Sequence, residues 1–312
     1  MTMPVLEVEG LSISFTQYDK GVRQRSLPVI RDLDLTIRPG QVVAVVGSSG
    51  SGKSLLAHGI LGILPYNARQ SGSIRYRGEP LTPRRAEELR GREIVLIPQS
   101  VGYLDPLMQV GPQIRKGRRD PASRARSREI LGRYHLGSEV EALYPFELSG
   151  GMTRRVLIST AVAEDPSLVI ADEPTPGLDP RSLHHIMDHF REIADSGAGL
   201  LLITHDLEAA LAIADRVAVF YAGETIEEAP ASDFAAEETL RHPYTRALWR
   251  AMPQHGFQPI PGAQPYPGAA RQGCPFLPRC PRRTAECGSA VPYRPVEGGF
   301  VRCLHPERGA EA

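Results

Sequence analysis

No run of about eighteen or more apolar residues, the length that a membrane-crossing helix needs, occurs in the 312-residue chain. The opening Met1-Thr2-Met3-Pro4 lacks the basic stretch followed by an apolar one that marks a secretory leader. Both absences set the expectation of a cytosolic protein whose role at a membrane, if any, comes through partners. Net charge is absent too: 36 Lys and Arg balance 36 Asp and Glu, so no global field argues for nucleic acid. Cysteine is missing until Cys274, and the other three, Cys280, Cys287 and Cys303, follow within the last 39 residues. In a reducing compartment that clustering points to metal or cluster ligation before disulfides.

What is present is organised around one stretch. Val42-Val43-Ala44-Val45-Val46, a short and mostly β-branched run, reads as a buried strand. It meets Gly47-Ser48-Ser49-Gly50-Ser51-Gly52-Lys53-Ser54 and continues into a helix expected over residues 55–64. This is the G-x-x-x-x-G-K-[ST] phosphate loop in its strand–loop–helix setting. Gly47, Gly50 and Gly52 lack a Cβ, so the backbone can turn its N–H groups inward as an anion nest, with the intervening Ser48 and Ser51 part of the same cradle. The helix start adds partial positive charge. In such a loop Lys53 reaches the β- and γ-phosphates and the Ser54 hydroxyl ligates Mg²⁺.

Residues 5–15 alternate as strands broken at Gly10, residues 16–27 read as a polar hairpin or loop, and residues 33–37 alternate again. Residues 73–77 suit an edge strand and residues 94–97 a buried one. From about Gln99 to Glu164 helical patterns dominate. Within them, residues 115–133 carry eight Lys or Arg against two acids. Without interleaved aromatics before Tyr134, they read as a solvated helical face rather than a nucleic-acid site. Strands at 168–171, 199–204 and 216–221 then alternate with helices at about 181–195 and from Asp206, which implies a mostly parallel sheet covered on both faces. A last helix is expected over 237–252. The 41% hydrophobic content is ample for a core of this size. From Pro253 onward proline and glycine supply nearly a third of the residues, so this tail needs a staple or a host surface to become ordered.

Several residues outside the loop carry chemistry. Asp172 closes an apolar strand, as a carboxylate must to meet Mg²⁺ held by Ser54, and Glu173 beside it can polarise an attacking water. Leu148-Ser149-Gly150-Gly151-Met152 opens a helix and forms a second anion site. One chain rarely needs two, so the second suits a triphosphate bound by another subunit. Gln99 and His205 each follow a strand's carboxyl end, where ligands bind in open α/β sheets, and either can contact Mg²⁺, water or the γ-phosphate.

The order Gly47–Ser54, Gln99, Leu148–Gly151, Asp172-Glu173, Leu178-Asp179 and His205 resembles the ATPase subunit of ATP-binding-cassette (ABC) transporters over roughly residues 5–230. The resemblance implies a P-loop NTPase (RecA-like) α/β core with a parallel sheet, an antiparallel β subdomain and a helical subdomain at about 99–164. The nucleotide-binding domain is expected to span 1–230 and an irregular cysteine-containing extension 231–312. It also implies roles: Gln99 as the Q-loop glutamine, Ser149, Gly150 and Gly151 as the signature gripping a partner's ATP, Asp179 as the D-loop aspartate and His205 as the switch histidine. Phe15 or Tyr18 would stack on adenine, with Phe15 preferred. Met152 and Arg154 stand where the signature usually carries glutamines, and Pro176-Gly177 replaces a small polar pair before Leu178-Asp179. These departures bear on the symmetry of the paired sites.

Further stretches resemble one branch, the oligopeptide, dipeptide and nickel importers: Tyr103-Leu104-Asp105-Pro106 with Val110-Gly111, then His242-Pro243-Tyr244-Thr245-Arg246-Ala247-Leu248. The strongest marker is Gly273-Cys274-Pro275-Phe276-Leu277-Pro278-Arg279-Cys280-Pro281 with Cys287 and Cys303. In that group the four cysteines imply a [4Fe–4S] cluster. Intervening segments of five, six and fifteen residues lack the C-x₂-C knuckle of zinc sites, yet zinc, with His305 as a substitute ligand, stays open. Residues 61–65 and 143–147 look more like nickel-type members. The resemblance implies ATP hydrolysis with Mg²⁺ and a second ABC ATPase of related but different sequence. It further implies two transmembrane permeases, a substrate-binding protein beyond them, and a peripheral position on the cytoplasmic face of the inner membrane. The cargo, peptide or metal chelate, belongs to the membrane subunits. The rival readings are a soluble ABC-type ATPase acting on nucleic acid or ribosomes and an iron–sulfur redox protein with an ancillary ATPase.

Overall fold

The computed structural model describes residues 3–18, 21–266 and 272–307. Met1 and Thr2 of the opening stretch, two residues of the 16–27 segment and parts of the tail lie outside these. Two sheets share the work. β1 (Leu6–Tyr18), β2 (Gln24–Ile37), β4 (Ala68–Tyr76) and the two-residue β5 (Glu79–Pro80) form an antiparallel sheet in the order β2-β1-β4-β5. The larger sheet contains β3 (Val42–Gly47), β6 (Ile94–Ile97), β7 (Leu168–Asp172), β8 (Gly199–Thr204), β9 (Arg216–Tyr221), β10 (Glu224–Pro230), β11 (Arg294–Val296) and β12 (Gly299–Val301). Its order is β11-β12-β10-β9-β3-β8-β7-β6. The five strands from β9 to β6 are parallel and the other three antiparallel. Every residue of β3, β7 and β8 is buried, which explains why they read as unbroken apolar runs instead of alternating.

Local differences from the sequence reading have physical causes. The first strand is not broken at Gly10; it continues through a register shift between Val8 and Leu11, where Gly10 takes φ 57° and its N–H donates to Asp34 Oδ1 at 2.8 Å. Of the two readings given for residues 16–27, hairpin or loop, the pairing of Tyr18 with Gln24 makes it a hairpin. Residues 73–77 are not an edge strand, since β4 lies between β1 and β5. The first helix, α1 (Lys53–Leu61), stops early because Gly62 caps it in the left-handed conformation.

Between β6 and β7 lie α3 (Val110–Ile114), α4 (Pro121–Arg133) and α5 (Gly150–Val162), with α2 (Pro83–Leu89) before them. Val110, Ile114, Ile130, Leu131, Val156 and Leu157 bury their side chains in the same core as β7. Basic side chains of this region are ion-paired: Arg115 and Arg128 with Glu141, and Lys116 and Arg118 with Glu164. α6 (Pro180–Asp195) and α7 (Leu207–Leu211) complete the βα alternation. The helix expected over 237–252 is instead a short 3₁₀ turn, then α8 (Pro243–Arg250). Pro243 has no N–H to give and fits only the first turn, with His242 as the cap.

The proline-rich tail finds a host surface. β12 pairs with β10 and so extends the main sheet. Phe276, 1% exposed, packs against Tyr221 of β9 and Tyr244 of α8. At the seam, Arg241 and Glu227 are both fully buried. Glu227 accepts from the Arg241 and His242 amides at 2.9 and 2.7 Å, while Arg241 Nε donates to the Val296 carbonyl at 2.9 Å.

Candidate nucleotide site

The carboxyl ends of four adjacent parallel strands converge. β3 delivers Gly47 and the loop, β8 delivers Thr204 and His205, β7 ends on Asp172, and β6 leads to Gln99. Two glycines in the loop are demanded by geometry. A Cβ on Gly47 would overlap the Phe220 carbonyl of neighbouring β9, and Gly52 sits at φ 99° at the cap of α1. Lys53 Nζ folds back, donating to the Gly47 and Ser48 carbonyls at 2.7 and 3.1 Å. Burial pulls its pKa down, opposed by the charges of Glu173 and Asp172. The Ser51 hydroxyl is buried without a hydrogen-bond partner among the described residues.

Ser54 Oγ donates to Asp172 Oδ1 at 3.2 Å. Burial pushes the Asp172 carboxyl up, with the Ser54 bond and nearby cations opposing. A hydroxyl and a carboxylate oxygen side by side are the hard donors that Mg²⁺ takes. Glu173 is buried, and its Oε2 meets His205 Nδ1 at 2.9 Å and Thr204 Oγ1 at 3.4 Å. Its backbone sits at φ 47°, a conformation that a non-glycine residue adopts at a cost and that gathers at working sites.

The remaining sequence-derived residues are placed differently. Ser149 caps α5, accepting from the Met152 amide at 3.4 Å, and Ser149 and Gly150 are exposed with Gly151 half-buried. Among the described residues no hydrogen bond joins them to this chain's own phosphate loop. Asp179 caps α6 through the Arg181 and Ser182 amides, both at 3.1 Å, and its bonds to Ser182 hold its carboxyl below the usual range. Phe15 is half-buried and packs on the core beneath β1, whereas Tyr18 is 71% exposed. The Gln99 side chain is exposed while its backbone is held from α5 by Arg154.

Sequence reasoning missed two connections. The tail reaches the phosphate loop itself: Gln264 contacts the Ser48 hydroxyl. Arg279 anchors that tail segment by donating to the Pro261 and Ile260 carbonyls at 2.6 and 2.9 Å. Arg154 was visible only as a departure from a glutamine, and nothing local in the sequence marks a buried cation.

The four cysteines border one small cavity together with His242 and His305. All are free thiols, and burial pushes Cys274 up to about 12 and Cys303 to about 11. Among the described residues no three His, Cys, Asp or Glu converge closely enough to hold a metal ion. Cys274 Sγ lies 4.0 Å from His242 Nε2. His242 Nδ1 accepts from the Tyr244 amide at 2.9 Å, which leaves the proton on Nε2.

A phosphate loop, a hydroxyl–carboxylate pair and a carboxylate–histidine pair at adjacent strand ends define an ATP-binding cassette. The ABC transporter family profile matches residues 30–176, and that of the oligopeptide/dipeptide transporter C-terminal region matches 226–287. A Brucella abortus protein named as a peptide import ATP-binding protein is 36% identical over 97% of this chain and 95% of its own. The oligopeptide transport ATP-binding protein OppD of Salmonella typhimurium is 34% identical (97% and 94%), and AppD of Bacillus subtilis 33% (98% of each). A solved ATP-binding subunit of an ABC transporter superposes with TM-score 0.61 at 26% identity, over 74% of this chain and 91% of that one. A dimeric bacterial ABC transporter cassette shares the fold, with TM-score 0.63 at 23% identity over 72% and 98%. The chain belongs to the ABC transporter ATP-binding subunits that carry the oligopeptide/dipeptide C-terminal region. It is an ATPase of this family, and among the described residues no helix is long and apolar enough to cross a membrane.

Proposed function

We propose that this chain is the ATP-hydrolysing motor of an importer whose cargo is peptides. The observation that carries the reading is the packing of Ser54, Asp172, Glu173 and His205 around one loop end, on a chain that also has the family's C-terminal region. Residues 1–230 act as the nucleotide-binding domain, 99–164 as its helical subdomain, and 231–312 as the cysteine-bearing extension.

The loop amides from Gly47 to Gly52 cradle the phosphates. Lys53, released from its carbonyls, neutralises charge on the β- and γ-phosphates. Ser54 and Asp172, with Gln99, would hold Mg²⁺, which would supply charge neutralisation of the triphosphate. Glu173 accepts a proton from the attacking water, and His205 orients the carboxylate and the departing γ-phosphate. Ser149, Gly150 and Gly151 face outward to close over the triphosphate of a second, related ATPase, with Asp179 at that junction. Phe15 is the residue proposed for the adenine. Two permeases receive the closing motion near Gln99 to Asp105, and a binding protein delivers cargo to them. The assembly places the chain peripherally on the cytoplasmic face of the inner membrane.

Cys274, Cys280, Cys287 and Cys303 are a soft donor set bordering one cavity, the chemistry that a [4Fe–4S] cluster or zinc takes, although as placed they do not converge closely enough to hold a metal and would have to draw together around it. Such a group would staple the tail; no step of hydrolysis needs it. Peptides are preferred over nickel chelates because the relatives bear peptide-transport names, whereas the nickel likeness rests on two short stretches.

The test is reconstitution of the chain with its permeases and companion ATPase in vesicles, with peptide-loaded binding protein. The reading expects ATP-dependent uptake of labelled peptide. Uptake of a nickel chelate but not peptide would change the cargo; hydrolysis stimulated by nucleic acid and unlinked to uptake would overturn the importer reading.

A further inference from the structure

The guanidinium of Arg154 is buried, 5% exposed, inside α5. Nη1 donates to the Pro98 carbonyl at 2.9 Å and Nη2 to the Gln99 carbonyl, while Nε is buried without a partner among the described residues. No carboxylate among the described residues pairs with it, and burial pulls its pKa down. A buried cation satisfied only by backbone oxygens is expensive, and a forked planar donor suits two successive carbonyls where an ammonium does not. The cost is met at one particular place: the backbone of Gln99, gripped from the helix whose first turn is Ser149-Gly150-Gly151.

We infer that Arg154 is a positioning residue that locks the Gln99 backbone to the signature helix. Gln99 and Ser149 then move as one body, so engagement of Gln99 at this chain's own Mg²⁺ site reports to the site that Ser149 completes on the partner. The inference rests on the proposed role of Gln99, and the test separates the two. Glutamine, the residue more frequent at this position, carries no charge and offers one amide in place of the fork.

The experiment measures ATP affinity, kcat and the Mg²⁺ concentration for half-maximal hydrolysis in the assembled importer, for R154M, R154K and Q99A. R154M should retain ATP affinity within about twofold, lose about ten- to a hundredfold in kcat, and need several-fold more Mg²⁺, as expected of a misplaced group. R154K, able to satisfy one carbonyl, should fall between R154M and the parent chain. Should R154M fail to fold, R154K decides: lower kcat at unchanged affinity supports the lock, and parental kcat with parental Mg²⁺ dependence overturns it. Loss of ATP affinity in step with thermal stability would also overturn it, as a purely structural role. If Q99A itself hydrolyses ATP normally, the role of Gln99 fails and the inference with it; if Q99A is impaired and R154M is not, only the inference fails.

Discussion

Glu173 Oε2 and His205 Nδ1 lie 2.9 Å apart, with the carboxylate turned inward and the imidazole largely exposed above it. The histidine follows β8 and the glutamate follows β7, so the pair bridges two adjacent strand ends. In the proposed mechanism His205 steers the carboxylate without blocking water. His205→Ala should cut turnover by about ten- to a hundredfold while ATP affinity stays within about twofold. Phosphate release and ATP titration on the same preparation check this.

Lys53 donates to the Gly47 and Ser48 carbonyls, bonds that the proposed function has phosphate replace. Lys53→Met keeps the stem and removes the charge. It should weaken ATP binding by at least about tenfold, since charge-assisted bonds to phosphate are among the strong ones. Calorimetric titration with ATP and Mg²⁺ measures it.

The parallel core was legible because buried strands announce themselves as apolar runs: residues 168–171, 199–204 and 216–221 coincide with β7, β8 and β9 to within a residue. The loop and its strand-end partners followed from spacing and topology. What escaped depends on distant chain. Arg154 and the carbonyls it grips are 55 and 56 residues apart. Gln264 meets Ser48 from 216 residues away. Neither pairing leaves a periodic trace. The helix expected from 237 failed at Pro243 for a local reason that the sequence did contain.

Glu227 and Arg241 fasten the extension to β10 with no exposure to water on either side chain. Burial raises the Glu227 carboxyl, opposed by the two amides and Arg241. Glu227→Ala leaves the buried Arg241 and His242 amides without their acceptor, while the guanidinium keeps Asp233 at 2.7 Å, and should cost about 1–3 kcal/mol, as an unsatisfied buried group does. Denaturant unfolding gives the value. Faster proteolysis after residue 230 should accompany it.

The cysteine cavity makes a chemical prediction. Anaerobically purified chain should contain about four iron and four sulfide with a broad visible absorption band, and Cys280→Ser should lose both together. Zinc without sulfide would assign the thiols to a structural zinc site instead. Neither metal would leave the tail held by β12, Phe276 and its hydrogen bonds and ion pairs, such as Arg241 to the Val296 carbonyl and Arg302 to Asp32.

The most direct test of the central claim is Glu173→Gln in the assembled importer, with bound ATP and released phosphate measured together. The exchange preserves size while removing the carboxylate's charge and its capacity to take a proton. The account predicts ATP binding at parental affinity, nucleotide trapped unhydrolysed, and turnover reduced by about a hundredfold or more. Hydrolysis at the parental rate would contradict it.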